Sequence, residues 1–98
     1  MLFIIRFTDH QEKKSVREAN LQSHISWLAD RKDIILVAGS LRHEPDSNPV
    51  GALWIVEAAT REEIDNLYKS DPFWINDLRK EVEILHWSKA FPDQQVLV

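Results

Sequence analysis

The chain contains no cysteine, and only two of its 98 residues are glycine. Without cysteine there are no disulfide staples, no thiolate nucleophile and no cysteine-ligated metal site. Two glycines and four prolines are few for a loop-rich chain. Positive charge is scarce as well: 12 Lys and Arg stand against 16 Asp and Glu, for a net charge of −4. Nucleic-acid binding needs a basic footprint, so DNA and RNA are not expected partners. No apolar run approaches the roughly 18 residues of a membrane span. The opening residues, Met1-Leu-Phe-Ile-Ile-Arg6, lack the basic and long apolar regions of a secretory signal. The expectation is a soluble, cytoplasmic protein.

What is present is a hydrophobic content of 44%, enough for a folded domain rather than a disordered one. The length suits one domain spanning residues 1–98. So short a chain has a marginal core, which favours oligomerisation. Four tryptophans stand out. They are candidates for core packing, pocket walls or a subunit interface.

Leu2 to Thr8 is apolar, β-branched and aromatic, and reads as a strand, with a polar loop from Asp9 to Lys14. Leu21, His24, Ile25 and Leu28 then follow the i, i+3, i+4, i+7 spacing of a helix face. Ser15 with Glu18 would form its capping box, and Arg31-Lys32 would mark its end. Ile34 to Leu41 is a second strand, Arg42 to Pro49 a loop, and Val50 to Ala58 a third strand in a hairpin with the second. Thr60-Arg-Glu-Glu63 is a capping box for a second helix through Ile64, Leu67 and Tyr68. Asp71-Pro72 opens a short third helix over Phe73 to Leu78, and Lys80 to Phe91 is the last strand. The tail after Pro92 reads as a short arm.

The order β-α-β-β-α-β is that of the ferredoxin-like split unit, an α+β fold with an antiparallel sheet and its helices on one face. The strands are apolar on both faces, whereas a solvated face would alternate. A second copy is the expected cover, giving a two-fold dimer or a higher even oligomer.

Strong catalytic motifs are absent, and four scattered histidines without paired spacing make no metal site. Interest falls on polar residues in apolar company. His24 is either a hydrogen-bonded core-edge histidine or a general acid/base. Asp71 caps a helix and can also orient a histidine. Arg6 either pairs with an acidic residue or binds an anionic ligand. Ser40 follows Gly39 at a strand end, where small residues suit a pocket floor as well as an ordinary terminus. His86 reads as a packed strand histidine, and His10 and His43 as solvated.

Taken in order, several segments resemble the YciI-like (YCII-related) family. These are Met1-Leu-Phe-Ile-Ile5, His24-Ile-Ser-Trp-Leu28, Ala38-Gly-Ser-Leu41, Asp46-Ser-Asn-Pro49 and Ser70-Asp-Pro-Phe73. The resemblance implies a dimeric α+β barrel. It also implies a site pairing the helix-one histidine with the Asp-Pro aspartate, here His24 and Asp71. The family often carries an arginine three or four residues before the histidine. Leu21 and Asn20 stand there, and the nearest arginine is Arg17. A proline common in the family is replaced by Ser40. Most members of the family have no assigned reaction; some relatives look like enzymes of aromatic degradation, including dehydrochlorination of chlorinated hydroxyquinols, and related ferredoxin-like dimers isomerise muconolactones.

The expectation is therefore a cofactor-independent lyase or isomerase on a small, aromatic or halogenated ring. His24 and Asp71 would be catalytic, with Trp27, Phe73 and Trp74 as aromatic walls. Arg6, Arg17 and Ser40 would be further substrate contacts, with no metal. The alternatives are a non-catalytic small-molecule-binding dimer or accessory protein, and a purely structural role for the two residues.

Overall fold

A computed structural model describes residues 1–96 and 98. Strand β1 (Leu2–Asp9) leads into α1 (Lys14–Ala29), then β2 (Ile35–Leu41), β3 (Gly51–Glu57), α2 (Arg61–Tyr68), α3 (Pro72–Ile75) and β4 (Arg79–Trp87). The sheet is antiparallel throughout, in the order β2-β3-β1-β4. This is the expected α+β split unit, with β1 in a central position.

Alternation along β1 explains the core. Phe3, Ile5 and Phe7 point to one face and are buried, together with Trp54 and Val56 of β3. The helices seal that face with Trp27, Ile64 and Tyr68. The opposite face carries Leu2, Ile4 and Arg6 of β1, opposed in register to Leu53, Ile55, Glu83, Leu85 and Trp87. Leu85 is 45% and Trp87 41% exposed. Among the described residues, no helix is long and apolar enough to cross a membrane.

Several boundaries differ from expectation, for local reasons. Helix α1 starts at Lys14, with Lys13 in the cap position and no side-chain cap bond. Ser15 is therefore inside the first turn, and the Ser15–Glu18 box does not form. Lys13 instead turns its ammonium to the Asp77 carboxylate at 2.7 Å and the Asp77 carbonyl at 3.0 Å. The helix ends at Ala29 rather than at Arg31-Lys32. Arg31 still serves that end, donating to the Trp27 carbonyl at 2.9 Å. The buried face of α1 is His24 and Trp27, while Leu21 and Ile25 stay exposed.

Helix α2 begins as expected: Thr60 Oγ1 accepts from the Glu63 amide, and Glu63 reaches back to the Ala59 amide. Helix α3 is only one turn, stopping at Ile75 instead of Leu78. The Asp77 amide donates to the Trp74 carbonyl and the Leu78 amide to the Phe73 carbonyl, both at 3.0 Å, with Asp77 at φ 59°. That is a Schellman closure with aspartate in the left-handed position. Strand β4 ends at Trp87, not Phe91, because Trp87 faces Leu2, the first residue of β1.

Candidate active site

The floor of the site is a product of capping. Asp71 precedes Pro72 in extended conformation, and its Oδ1 accepts the Phe73 amide proton at 3.1 Å. The same oxygen lies 2.7 Å from His24 Nδ1. His24 is 6% exposed and Asp71 1%, so the pair is nearly sealed. The His24 ring stacks on Phe73, with centroids 3.9 Å apart and planes 14° apart. Hydrogen bond and stack together fix the imidazole in position and rotation. With Nδ1 engaged, Nε2 is the nitrogen left to act on a ligand.

His24 opens onto a cleft of about 420 Å³ between α1 and the β2–β3 end of the sheet. The cleft takes in Arg17, Ser40, Phe73 and Arg79, with Leu21 and Trp54 as apolar wall. Its volume suits a single small ring system.

The expected site residues divide into three groups. His24, Phe73, Arg17 and Ser40 are brought together around the cleft, and Asp71 supports them from beneath. Neither Trp27 nor Trp74 lines the cleft: Trp27 backs it, and Trp74 packs against the core. Trp27 donates through Nε1 to Ser70 Oγ at 3.1 Å and lies against Trp54. It thus steadies the residue before Asp71. Trp74 packs edge-on against Tyr68. Arg6 is not brought to this cleft: it stands on the opposite sheet face, exposed and paired with Glu83. Glu83 is thus its acidic partner. His86 packs against Phe3 at 4.4 Å, as expected for a strand histidine.

Sequence reasoning missed a buried ion triad. Strand β1 runs through Asp9, where the polar composition predicts a loop. Asp9 Oδ1 accepts from Arg79 Nη1 at 2.8 Å, and Oδ2 accepts from Arg17 Nη2 at 2.7 Å. Asp9 is 3% and Arg79 4% exposed. Arg79 also lies over the rings of Phe7 and Phe73, and Arg17 lies 5.1 Å from the Phe73 centroid. Burial pushes the Arg79 guanidinium below the usual arginine value, while Asp9 and Asp71 oppose that shift. One available signal was parity: Asp9 continues the inward series Phe3, Ile5, Phe7.

A ferredoxin-like α+β domain with a buried histidine–carboxylate pair under a small cleft is the class that fold and site define. A family model, the YCII-related domain, matches residues 1–88. The chain belongs to that family. Among solved structures it is similar to 5-chloro-2-hydroxyhydroquinone dehydrochlorinase (TftG) from Burkholderia phenoliruptrix AC1100, in complex with 2,5-dihydroxybenzoquinone. The TM-score is 0.81 and the identity 26%, over 90% of this chain and 94% of that one. It also resembles protein Atu4242 from Agrobacterium tumefaciens, with TM-score 0.52 and 16% identity over 94% of this chain and 98% of that one, a likeness of fold alone. No curated protein matches the chain.

Proposed function

We propose that the protein is a cofactor-independent lyase of dehydrochlorinase type, acting on a small hydroxylated, halogenated ring. The observation that carries this reading is the 2.7 Å contact between His24 Nδ1 and Asp71 beside the cleft. The likeness to a dehydrochlorinase over nearly the whole chain supports it. His24 is the general acid/base. Asp71 holds its tautomer and stabilises the imidazolium.

On a chlorinated hydroquinol, His24 Nε2 takes a hydroxyl proton and returns it to the ring carbon bearing chlorine, giving the keto tautomer. A second hydroxyl then loses its proton to the same nitrogen while chloride leaves with the C–Cl electron pair. The product is a quinone, poorer by one proton and one chloride. Loss of chlorine as chloride balances oxidation of the ring, so no external oxidant is needed. A lactone isomerisation would use the same nitrogen for a single proton shift.

The test is chloride release from 5-chloro-2-hydroxyhydroquinone. His24→Ala is expected to slow turnover by about 10²- to 10⁴-fold. Unchanged turnover in that variant overturns the assignment. Saturable binding by the wild type without chloride release identifies a binding module instead.

The unit we propose is a two-fold dimer with its open sheet faces packed together. Leu2, Ile4, Leu53, Ile55, Leu85 and Trp87 form a continuous apolar band on that face, of the kind that marks an interface. A monomer by light scattering at micromolar concentration would rule this out. The absence of cysteine suits a reducing, cytoplasmic setting.

A further inference from the structure

A second histidine stands on the cleft that His24 lines. The polar run after β1 predicts a solvated His10, yet its side chain is only 26% exposed and forms part of the cleft wall. Its backbone is pinned on both sides. The His10 amide donates to the Leu78 carbonyl at 2.9 Å, and the His10 carbonyl accepts from the Lys13 amide at 3.2 Å. Nδ1 lies 3.3 Å from Glu12 Oε1. A carboxylate at Nδ1 favours the tautomer that keeps its proton there and leaves the Nε2 lone pair to accept. His24 stands in the same relation to Asp71.

A hydroxylated ring brings hydrogen-bond donors, and the other titratable side chains of the wall offer them little. Lys14, Arg17, Arg42 and Arg79 are donors only. Both Asp9 oxygens are taken by arginines. Glu18 is well exposed, with its carboxylate 3.9 Å from the Lys14 ammonium. The two imidazoles are thus the neutral acceptors among the titratable groups of the wall. The reaction written above uses two hydroxyls, both served by His24. A third hydroxyl needs an acceptor of its own.

We propose that His10 Nε2 seats a ring hydroxyl that the reaction does not consume, so that the cleft selects a ring with three hydroxyls over one with two. His10 comes from the loop after β1 and His24 from α1, and the two nitrogens address different edges of one ring. His10 sets which ring is held and moves no proton in the reaction. This rests on the reading of the cleft as a substrate site, but not on turnover.

The test is equilibrium binding, in the absence of oxygen, of 1,2,4-trihydroxybenzene and 1,4-dihydroxybenzene. Neither carries chlorine, so binding is read apart from chemistry. The wild type is expected to bind the trihydroxy ring roughly 3- to 10-fold more tightly, the value of about one hydrogen bond. His10→Leu should erase that preference and leave the affinity for 1,4-dihydroxybenzene in place. His10→Gln, whose amide oxygen can accept, should retain part of it. The bonds that pin this loop are backbone bonds, so a lost side chain leaves them intact.

Nitrogen NMR of the wild type reads the same contact directly, whatever His10→Leu does to the fold. The His10 Nε2 resonance should move with the trihydroxy ring and stay with the dihydroxy ring. Equal affinities in the wild type, full preference in His10→Leu, or an unmoved His10 resonance would overturn the proposal and leave the cleft as a ligand site. Binding of neither ring would overturn the cleft reading and the proposal together. Preference without chloride release from 5-chloro-2-hydroxyhydroquinone would sink the lyase reading alone.

Discussion

The Asp71 oxygen that meets His24 Nδ1 at 2.7 Å is the atom that accepts the Phe73 amide proton at 3.1 Å. Helix cap and histidine partner are thus one atom, and the two roles can be separated by substitution. Asparagine caps a helix about as well as aspartate, so Asp71→Asn should keep the fold. It removes the negative charge facing the imidazole and should lower turnover by about 10²- to 10⁴-fold. Asp71→Ala loses the cap as well, at a cost of about 1 kcal/mol. Chloride release and urea denaturation on the same preparations distinguish the two losses. An Asp71→Asn enzyme with full activity would reduce Asp71 to a cap.

The Asp9–Arg79 pair makes a stability prediction of its own. Each side chain is nearly sealed; removing Arg79 still leaves Asp9 paired with Arg17, whereas removing Asp9 leaves Arg79 as a buried charge without its carboxylate. Asp9→Leu is expected to cost about 3–5 kcal/mol. Asp9→Leu/Arg79→Met should recover much of that loss, because apolar side chains often replace a buried pair at little cost. Denaturant midpoints measure both. Equal destabilisation in single and double variants would show that packing, rather than orphaned charge, sets the cost.

How much of this was legible in the sequence depends on distance along the chain. Period-two alternation announced β1, and the Asp71-Pro72 pair announced a cap, because both signals are local. His24 stood out because a titratable ring on an apolar stripe is conspicuous. Parity could have settled Arg6: it stands between the inward-facing Ile5 and Phe7 and therefore leaves the core face with Leu2 and Ile4. Arg79 was not legible. Its partner Asp9 lies 70 positions away and meets it across an irregular register between β1 and β4. Trp27 and Trp74 were recognised as aromatic and near the site in sequence. Which of them would face a ligand depends on helix rotation, and the backing role of Trp27 comes from its bond to Ser70.

The two glycines should respond oppositely to alanine. At Gly51 a Cβ would overlap the Phe7 carbonyl, backbone of the strand it pairs with. Backbone cannot step aside without breaking the β1–β3 ladder. Gly51→Ala should therefore destabilise by about 3 kcal/mol or more. At Gly39 a Cβ meets nothing within 4 Å, so Gly39→Ala should fall within about 0.5 kcal/mol of wild type. Thermal melting of the pair decides it; similar melting temperatures would contradict the close approach of β1 and β3 at Gly51.

The Lys13–Asp77 contact predicts a pH effect of defined sign. The hydrogen bond from Lys13, and then its charge, hold the Asp77 carboxyl below the ordinary aspartate value. A carboxyl depressed in the folded state adds stability that is present above its unfolded value. That contribution is lost as pH falls through the folded value, so the window lies below about pH 4. The group is on the surface and salt will weaken the effect. Asp77→Asn is the clean probe, because asparagine tolerates the left-handed backbone at φ 59° and keeps the Schellman closure. The variant should be less stable than wild type at neutral pH, and the gap should close as the pH falls below about 4 and shrink in high salt. A gap that stays constant across that range would mean that Lys13 holds the Asp77 carbonyl and contributes nothing through the carboxylate.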